Sequence, residues 1–281
     1  MSGKFQSINY ELDKLPTMPV VASQMIELIN TPDASATQLA KVVEKDAAVS
    51  ARVLKIANSS FYSMSRQVTT LSTAIVIIGE RALKNLVLAA SLRGMHQTFG
   101  KVEKMLWEDS MVCALGSRFL ARKLMLADPE EAFMAGLFRN IGLVVLNSQE
   151  AGAKKLLAEM LTSGDRDQAE REREAFGVTN AEIGAAVLEH WRLSEALSQV
   201  ALHHLDVKLT GVSEQNMVNL ICLVNIASEL PAILGILGYP REIDLGSLPG
   251  ARVLQLDAEQ LAELLEEFRT VFEANRKEFL A

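Results

Sequence analysis

Residues 136–142 read Gly-Leu-Phe-Arg-Asn-Ile-Gly, which places one polar pair, Arg139 and Asn140, inside an otherwise apolar run. The flanking residues repeat apolar side chains at helical spacing, which predicts a helix over Glu130–Asn147. A guanidinium repels a metal cation and an uncharged amide binds it poorly. The stretch therefore indicates a helical segment whose central polar pair is poorly suited to binding a divalent metal.

Outward from this stretch, helical spacing continues in both directions and strand-like alternation is nearly absent, so the predicted fold is all-α. Before the stretch, the pattern predicts helices at Pro19–Ile29, Ala36–Glu44 and Ala47–Ala57, a short helix that opens at Thr70–Thr73 and stops at Gly79, and helices at Arg81–Phe99 and Glu103–Leu126. After it, the predicted helices are Glu150–Thr162, Arg166–Phe176, Asn180–Trp191, Ser194–His203, Asn216–Leu237 and a last one that begins after Asp257. The segment Gly238–Leu256 contains two prolines and is predicted to be a surface loop.

The change from short helices to long ones at Gly100-Lys101 predicts two packed lobes, residues 1–99 and 100–281. The last helix carries an apolar stripe at helical spacing, formed by Leu261, Leu264, Leu265, Phe268 and Phe272. This stripe must be covered, either by the chain's own core, by a second copy in a homodimer, or by a partner protein. The run Arg166–Glu174 alternates charge sign, which is typical of a solvated helix.

Composition excludes several classes of protein. The chain has 281 residues, 49% of them hydrophobic, which is enough for sizeable cores. Its net charge of −7 argues against a general nucleic-acid binder. The N-terminal residues are polar and no apolar run reaches membrane-spanning length, so we expect a cytoplasmic protein without a membrane partner. The two cysteines, Cys113 and Cys222, indicate buried thiols and no disulfide framework.

Four motifs occur in one order in the first third of the chain, and together they resemble the HDOD family, the HD-related output domains of bacterial signalling proteins. The resemblance continues through later positions and covers about residues 12–210. The motifs are Leu15–Pro19, Asp46–Leu54, Ala57–Tyr62 and Ala74–Gly79, followed by Leu106-Trp107, Gly136–Gly142, Gly184, Trp191 and His203-His204. The resemblance implies an all-helical fold related to the HD phosphohydrolases, without their catalytic metal set, in bacterial regulation.

The resemblance also allows a comparison with the HD metal pattern. Catalytic relatives use a helix His, a His-Asp pair, a further His, a His-His pair and a late Asp, which converge on one or two metals. The corresponding positions here are Asp109, Arg139, Asn140, Asn180, His203, His204 and about Ser228. Only the His-His pair is intact. The resemblance therefore implies a degenerate site with no metal, no other cofactor and no catalytic residue.

Structural alternatives for these residues remain open at this stage. Arg139 could form an ion pair with Asp109 that replaces the metal between the same helices, it could contact an anion or nucleotide, or it could be an ordinary exposed arginine. His203 and His204 are successive residues on one helix, about 100° apart, so they are not expected to point into one small site together. They could simply be a hydrogen-bonded structural pair.

A second group of residues is a candidate partner surface in the first lobe. Polar side chains flank an aromatic pair near a predicted helix end, and two basic residues follow on a later helix. The group consists of Asn58, Ser59, Ser60, Tyr62, Arg81 and Lys84. The alternative interpretation is that Asn58 and the serines only cap the helix.

Three functions compete. The first is a non-enzymatic signal-transduction module that binds an unknown regulatory protein or a small signal. The second is a metal-dependent phosphohydrolase or phosphodiesterase with an altered ligand set, which would need at least three good ligands. The third is a nucleotide or nucleic-acid binder that uses basic residues of the first lobe. The sequence favours the first.

Overall fold

We analysed a computed structural model of the chain, which describes residues 18, 20–29, 36–59, 67–93, 100–149, 153–163, 168–238 and 240–280. Over these ranges every regular element is a helix and none is a strand. The predicted all-α fold class is confirmed.

The described residues divide into two compact units. The smaller unit comprises residues 18–93 together with 267–280, and the larger comprises residues 100–266. This division differs from the predicted lobes, because the second half of the C-terminal helix belongs with the N-terminal helices. The physical reason is burial: the aromatic residues Phe268, Phe272 and Phe279 of that half are almost fully buried and stack on one another.

The smaller unit is built from five short helices and the end of α16. Its helices are α1 (Val20–Ile29), α2 (Ala36–Glu44), α3 (Ala47–Ala57), α4 (Leu71–Ile78) and α5 (Glu80–Arg93). Helices α1 and α3 pack on α5, and α2 packs on α4. Asp46 caps the start of α3 and Thr70 caps the start of α4, each through a side-chain oxygen that accepts from backbone N–H groups.

The larger unit is organised around the long helix α6. Its helices are α6 (Lys101–Leu124), α7 (Pro129–Phe138), α8 (Ile141–Gln149), α9 (Ala153–Ser163), α10 (Gln168–Phe176), α11 (Asn180–His190), α12 (Glu195–His203), α13 (Gln215–Ala227), α14 (Leu230–Ile233), α15 (Pro249–Val253) and the first half of α16 (Ala258–Leu280). Helix α6 packs most extensively on α7 and also on α13, whereas α11 packs on α8 and α12.

Two glycines of the heptapeptide 136–142 allow these close packings. A side chain at Gly136 would lie 2.8 Å from the carbonyl oxygen of Cys113 on α6. A side chain at Gly142 would overlap the backbone carbonyl of Asn180 at the start of α11. The two glycines therefore fix α7 against α6 and α8 against α11, and Arg139 and Asn140 lie between these two contacts.

The predicted helix Glu130–Asn147 is two helices, so this prediction was wrong. Helix α7 ends at Phe138, Arg139 is its C-cap residue and α8 begins at Ile141. The break directs the two polar side chains inward, and both are buried. A continuous helix would have presented successive residues about 100° apart around its axis.

One further helix prediction and one loop prediction also need correction. The predicted helix Asn216–Leu237 ends at Ala227 and a short α14 follows, with Pro231 in its first turn. Pro231 has no N–H to continue the α13 hydrogen-bond ladder. The predicted loop Gly238–Leu256 contains a 3₁₀ turn and α15, which is held by Asn225 because its Oδ1 accepts from the Gly250 N–H at 2.8 Å.

Within the described ranges one stretch, Gln215–Ile233, is apolar and long enough to cross a membrane by length and composition alone. Two thirds of it is buried inside the chain, and the whole of Leu220–Ala227 belongs to the core of the larger unit. We interpret the stretch as a core helix.

Candidate functional site

Arg139 and Asn140 both form hydrogen bonds with Asp109, an acidic residue of α6. Arg139 Nη2 donates to Asp109 Oδ2 at 2.7 Å, and Asn140 Nδ2 donates to the same oxygen at 2.8 Å. Asp109 lies in the middle of α6, and its side chain is 4% exposed while that of Arg139 is 2% exposed. The ion pair that the sequence left as one alternative is therefore what the structure contains, in a fully buried setting.

Arg139 stays a cation in this position. Burial disfavours the charged guanidinium and is the largest single effect, but the charge and hydrogen bond of Asp109 together with Cys113 and Glu229 outweigh it, so the pKa of Arg139 lies above its usual value. Two of its nitrogens, Nε and Nη1, are buried without a hydrogen-bond partner. The guanidinium is therefore a fixed positive charge held mainly by one carboxylate.

The two neighbouring histidines have different environments. His204 is 1% exposed, and its Nδ1 lies 3.0 Å from the carbonyl oxygen of Ala201. Burial, followed by the charge of Arg139, lowers the pKa of His204 to about 3, so its ring is neutral near pH 7. With a proton on Nδ1 donated to Ala201, the buried Nε2 is an acceptor without a partner. His203 is only half-buried, and burial lowers its pKa as well.

Asn180 belongs to a separate polar cluster. Its backbone N–H donates to Glu172 Oε2 at 2.6 Å, and its Nδ2 donates to both oxygens of the same carboxylate at 2.9 Å. Gln168 adds a further hydrogen bond to Glu172 at 2.9 Å. Asn180 therefore anchors the start of α11 to α10, and none of its hydrogen bonds goes to Asp109 or Arg139.

Sequence reasoning missed Glu172. The run Arg166–Glu174 was predicted to be a solvated helix, yet the Glu172 side chain is completely buried. Burial raises the pKa of Glu172, and the hydrogen bonds from Asn180 and Gln168 oppose this effect. The available signal was the spacing of Glu172 four residues before Phe176, the last residue of α10, which places the two side chains on the same face of an otherwise charged helix.

The late position of the metal pattern, predicted at about Ser228, adjoins Glu229. Ser228 Oγ donates to the backbone oxygen of Asn225 at 2.6 Å and caps the end of α13. Glu229 instead contributes to the electrostatic environment of both Arg139 and Cys113. Burial raises the pKa of the Cys113 thiol to about 11, so it is protonated near pH 7.

We use the name Arg139 cluster for Asp109, Arg139, Asn140 and His204, together with their electrostatic neighbours Cys113 and Glu229. The cluster does not fit a catalytic metal. Its central position holds a guanidinium, and the Asp109 oxygen nearest to it already accepts two hydrogen bonds. Among the described residues, no three His, Cys, Asp or Glu side chains are grouped so that they could hold a metal ion.

The predicted partner surface is only partly at the surface. The Asn58 side chain pairs with the backbone of Val68, donating to its oxygen at 2.8 Å and accepting from its nitrogen at 2.6 Å. Ser59 is 2% exposed. Asn58 therefore ties the end of α3 to Val68, and Ser59 is too deeply buried to face a partner, which corrects their assignment. Ser60 and Tyr62 lie outside the described residues.

The two basic members of that surface differ. Arg81 is exposed at the start of α5. Lys84 is 14% exposed and pairs with Glu80 at 2.8 Å. Arg81 therefore remains a candidate for partner contact.

Comparison with known proteins agrees with the fold. The HDOD domain model matches residues 15–207, which is most of the chain. The fold is that of an HD-related helical domain, and this chain belongs to the HDOD family.

Solved structures share the fold at low sequence identity. An HDOD domain protein of unknown function from Geobacter sulfurreducens is 22% identical with a TM-score of 0.71, over 92% of this chain and 93% of that one. A protein provisionally named as a phosphohydrolase from Shewanella amazonensis SB2B is 24% identical with a TM-score of 0.71, over 95% and 96% of the two chains. A protein provisionally named for signal transduction, from Marinobacter aquaeolei VT8, is 22% identical with a TM-score of 0.67, over 95% of this chain and 59% of that one.

A curated relative is longer than this chain. An uncharacterised protein from Treponema pallidum (strain Nichols) is 27% identical over 210 residues. The match covers 70% of this chain and 39% of the relative. The chain thus spans well under half of the curated relative that it matches.

Proposed function

We propose that this chain is a non-catalytic regulatory module of bacterial signal transduction. It acts in the cytoplasm by binding a protein partner or a small signal. The observation that carries the proposal is the buried ion pair between Arg139 and Asp109. It joins α6 to the α7–α8 junction, which is the role that a metal has in the catalytic HD relatives.

Electrostatics supports this proposal. Two unit charges about 4 Å apart interact by about 4 kcal/mol at an effective dielectric constant of about 20, so a divalent ion beside a guanidinium would be repelled by about 8 kcal/mol. The guanidinium cannot be deprotonated to relieve this repulsion, because the pKa of Arg139 is raised. Asp109 is the carboxylate closest to such an ion, and Arg139 and Asn140 already occupy it.

The alternative is a metal-dependent phosphohydrolase with an altered ligand set. The name of the Shewanella amazonensis protein points in that direction for that protein. In the Arg139 cluster, His204 Nε2 is the histidine nitrogen that could bind a metal, because it has no hydrogen-bond partner. A structural or catalytic metal needs three or more protein ligands. The regulatory proposal therefore accounts for the observed contacts better.

A hydrolysis assay tests the proposal. Purified protein should not turn over cyclic dinucleotides or phosphomonoesters when Mn²⁺, Fe²⁺, Mg²⁺ or Ni²⁺ is added. Two variants identify any activity that does arise: His204→Ala removes the buried ring, and His203→Ala is the matched control on the same helix. Turnover that His204→Ala abolishes and His203→Ala preserves would establish the enzyme and end the regulatory proposal.

A further inference from the structure

Helix α10 has one buried side chain, and that side chain is the carboxylate of Glu172. The other side chains of α10 are half-buried or exposed. A helix is usually held to its neighbours by an apolar stripe. The most deeply buried contact of α10 is instead an ionisable group, so this contact changes when Glu172 gains or loses a proton.

The hydrogen bonds of Glu172 come from uncharged donors. Asn180 donates through its backbone N–H and its side-chain amide, and Gln168 donates through its own amide. The charge that acts on Glu172 is that of Glu182 on α11, a second carboxylate, which pairs with Arg173 at 2.8 Å. A buried carboxylate that is held by neutral donors and lies near a like charge takes up a proton more readily than an exposed one. Burial and Glu182 accordingly raise the pKa of Glu172.

The side chain of Asn180 carries an acceptor that suits this proton. Its Oδ1 is buried and has no hydrogen-bond partner, whereas its Nδ2 donates to both oxygens of Glu172. A half turn of the amide exchanges Oδ1 and Nδ2, and a protonated Glu172 can then donate its O–H to Oδ1. The backbone N–H of Asn180 can donate to the other carboxyl oxygen in both states. The two ends of one amide therefore match the two protonation states of Glu172.

The backbone of Asn180 also contacts the start of α8. A side chain at Gly142 would overlap the carbonyl oxygen of Asn180, so the two backbones are in direct contact. Asn140 lies two residues before Gly142 and donates to Asp109 in the Arg139 cluster. A shift of the first turn of α11 therefore reaches the first turn of α8, next to this cluster.

We propose that Glu172 and Asn180 form a proton-sensitive switch between α10 and α11, which we call the Glu172–Asn180 switch. In the ionised state the carboxylate accepts from Asn180 Nδ2. On acidification Glu172 takes up a proton from solvent, the amide turns, and the new O–H donates to Asn180 Oδ1. The proposal rests on the regulatory function above and names the proton as one of its input signals.

The stability of the whole protein is a poor measure of this switch. The fold favours the neutral form of Glu172, so its contribution to stability grows as the pH falls through the pKa of the folded state. His204 acts in the opposite direction, because its neutral form is favoured and is lost on acidification. The two effects oppose each other in the free energy of unfolding, and a signal from the switch itself is needed.

An NMR titration of the full chain provides that signal. Protein labelled with ¹³C and ¹⁵N is titrated from about pH 8 to about pH 4.5, a range in which His204 stays neutral because its pKa is about 3. Three signals are followed: the side-chain carboxyl carbon of Glu172, the side-chain NH₂ group of Asn180 and the backbone N–H of Gly142.

Two variants with matched substitutions accompany the wild type. Glu172→Gln keeps the shape of the side chain and imitates the protonated carboxyl group. Glu182→Gln removes the neighbouring charge, and glutamine can still accept from the Thr179 N–H in the capping box. Circular dichroism checks that each protein is folded.

The three wild-type signals should change with one common midpoint, above the ordinary pKa of 4.5. In Glu172→Gln the Asn180 and Gly142 signals should stay where the wild type arrives at low pH. In Glu182→Gln the common midpoint should move to lower pH, because a like charge near Glu172 is gone.

The switch is disproved by a Glu172 midpoint at or below 4.5, or by Asn180 and Gly142 signals that do not follow Glu172. The wild-type titration decides this by itself if the Glu172→Gln chain does not fold. A negative titration leaves the hydrolysis result unchanged, so a wrong switch is distinguishable from a wrong function.

Discussion

The buried ion pair makes a quantitative prediction about stability. At 2.7 Å the attraction between Arg139 and Asp109 is about 6 kcal/mol at an effective dielectric constant of about 20, before desolvation is counted. Asp109→Asn keeps the shape of the side chain and removes its charge, which leaves Arg139 buried with only partly exposed Glu229 to balance it. Breaking a buried pair in this way costs about 3–5 kcal/mol. We expect a loss of that size in the free energy of unfolding.

The double variant separates the ion pair from ordinary packing. Arg139→Met removes the buried charge and retains most of the aliphatic volume, so Asp109→Asn combined with Arg139→Met leaves no unpaired charge. Replacing a buried ion pair with uncharged groups is often nearly neutral, and the double variant should be about 2 kcal/mol more stable than Asp109→Asn alone.

Urea unfolding followed by tryptophan fluorescence measures these effects. The two tryptophans of the chain, Trp107 and Trp191, both lie in the larger unit, so the signal reports on the unit that contains the pair. The reasoning is refuted if the two single substitutions add within about 0.5 kcal/mol, because the charges would then not be coupled.

Two further predictions concern the smaller unit and the dependence on pH. Asn58→Ala should cost about 2–3 kcal/mol, because it leaves the Val68 N–H and carbonyl oxygen without their partner, and hydrogen exchange at the Val68 amide should speed up; unchanged exchange would contradict this. The pKa of His204 is depressed to about 3, so its neutral form stabilises the fold above about pH 6.5, and this contribution is lost as pH falls from there toward 3. Between pH 6 and 5 the free energy of unfolding should fall by up to about 1.4 kcal/mol per pH unit. His204→Gln should remove most of that slope and His203→Gln less; equal slopes in all three proteins would show that His204 is not the group responsible.

The positions of most helices could be predicted from sequence because their apolar residues recur at helical spacing. The helix break at Arg139 could not, since apolar residues at helical spacing continue on both sides of Arg139 and Asn140, from Ala132 to Leu146. Its cause is tertiary: α7 must pack closely on α6 at Gly136 while α8 packs on α11 at Gly142. The short helix α15 was missed for a similar reason, because a distant side chain, Asn225, holds its first turn.

A contact of the candidate site could be predicted from sequence when both of its residues occupy positions of the HD metal pattern. Asp109 and Arg139 occupy two of its positions, so a contact between them could be expected once a cation replaced the metal ligand. Glu172 lies outside that pattern and within an alternating charge run, which locally looks the same as a solvated helix. Its burial depends on where α10 packs, and helix packing cannot be read from the charges of one segment.

The metal content of the purified protein tests the central claim most directly. The chain is expressed in medium supplemented with iron, manganese and zinc, dialysed against a chelator and analysed by inductively coupled plasma mass spectrometry. Arg139→Lys serves as a variant that keeps the positive charge. The account predicts well under 0.1 equivalent of any transition metal in both proteins, because a fixed cation occupies the Arg139 cluster. About one equivalent of iron or manganese that survives dialysis, and that is lost in His204→Ala, would contradict the claim that Arg139 and Asp109 have replaced the metal.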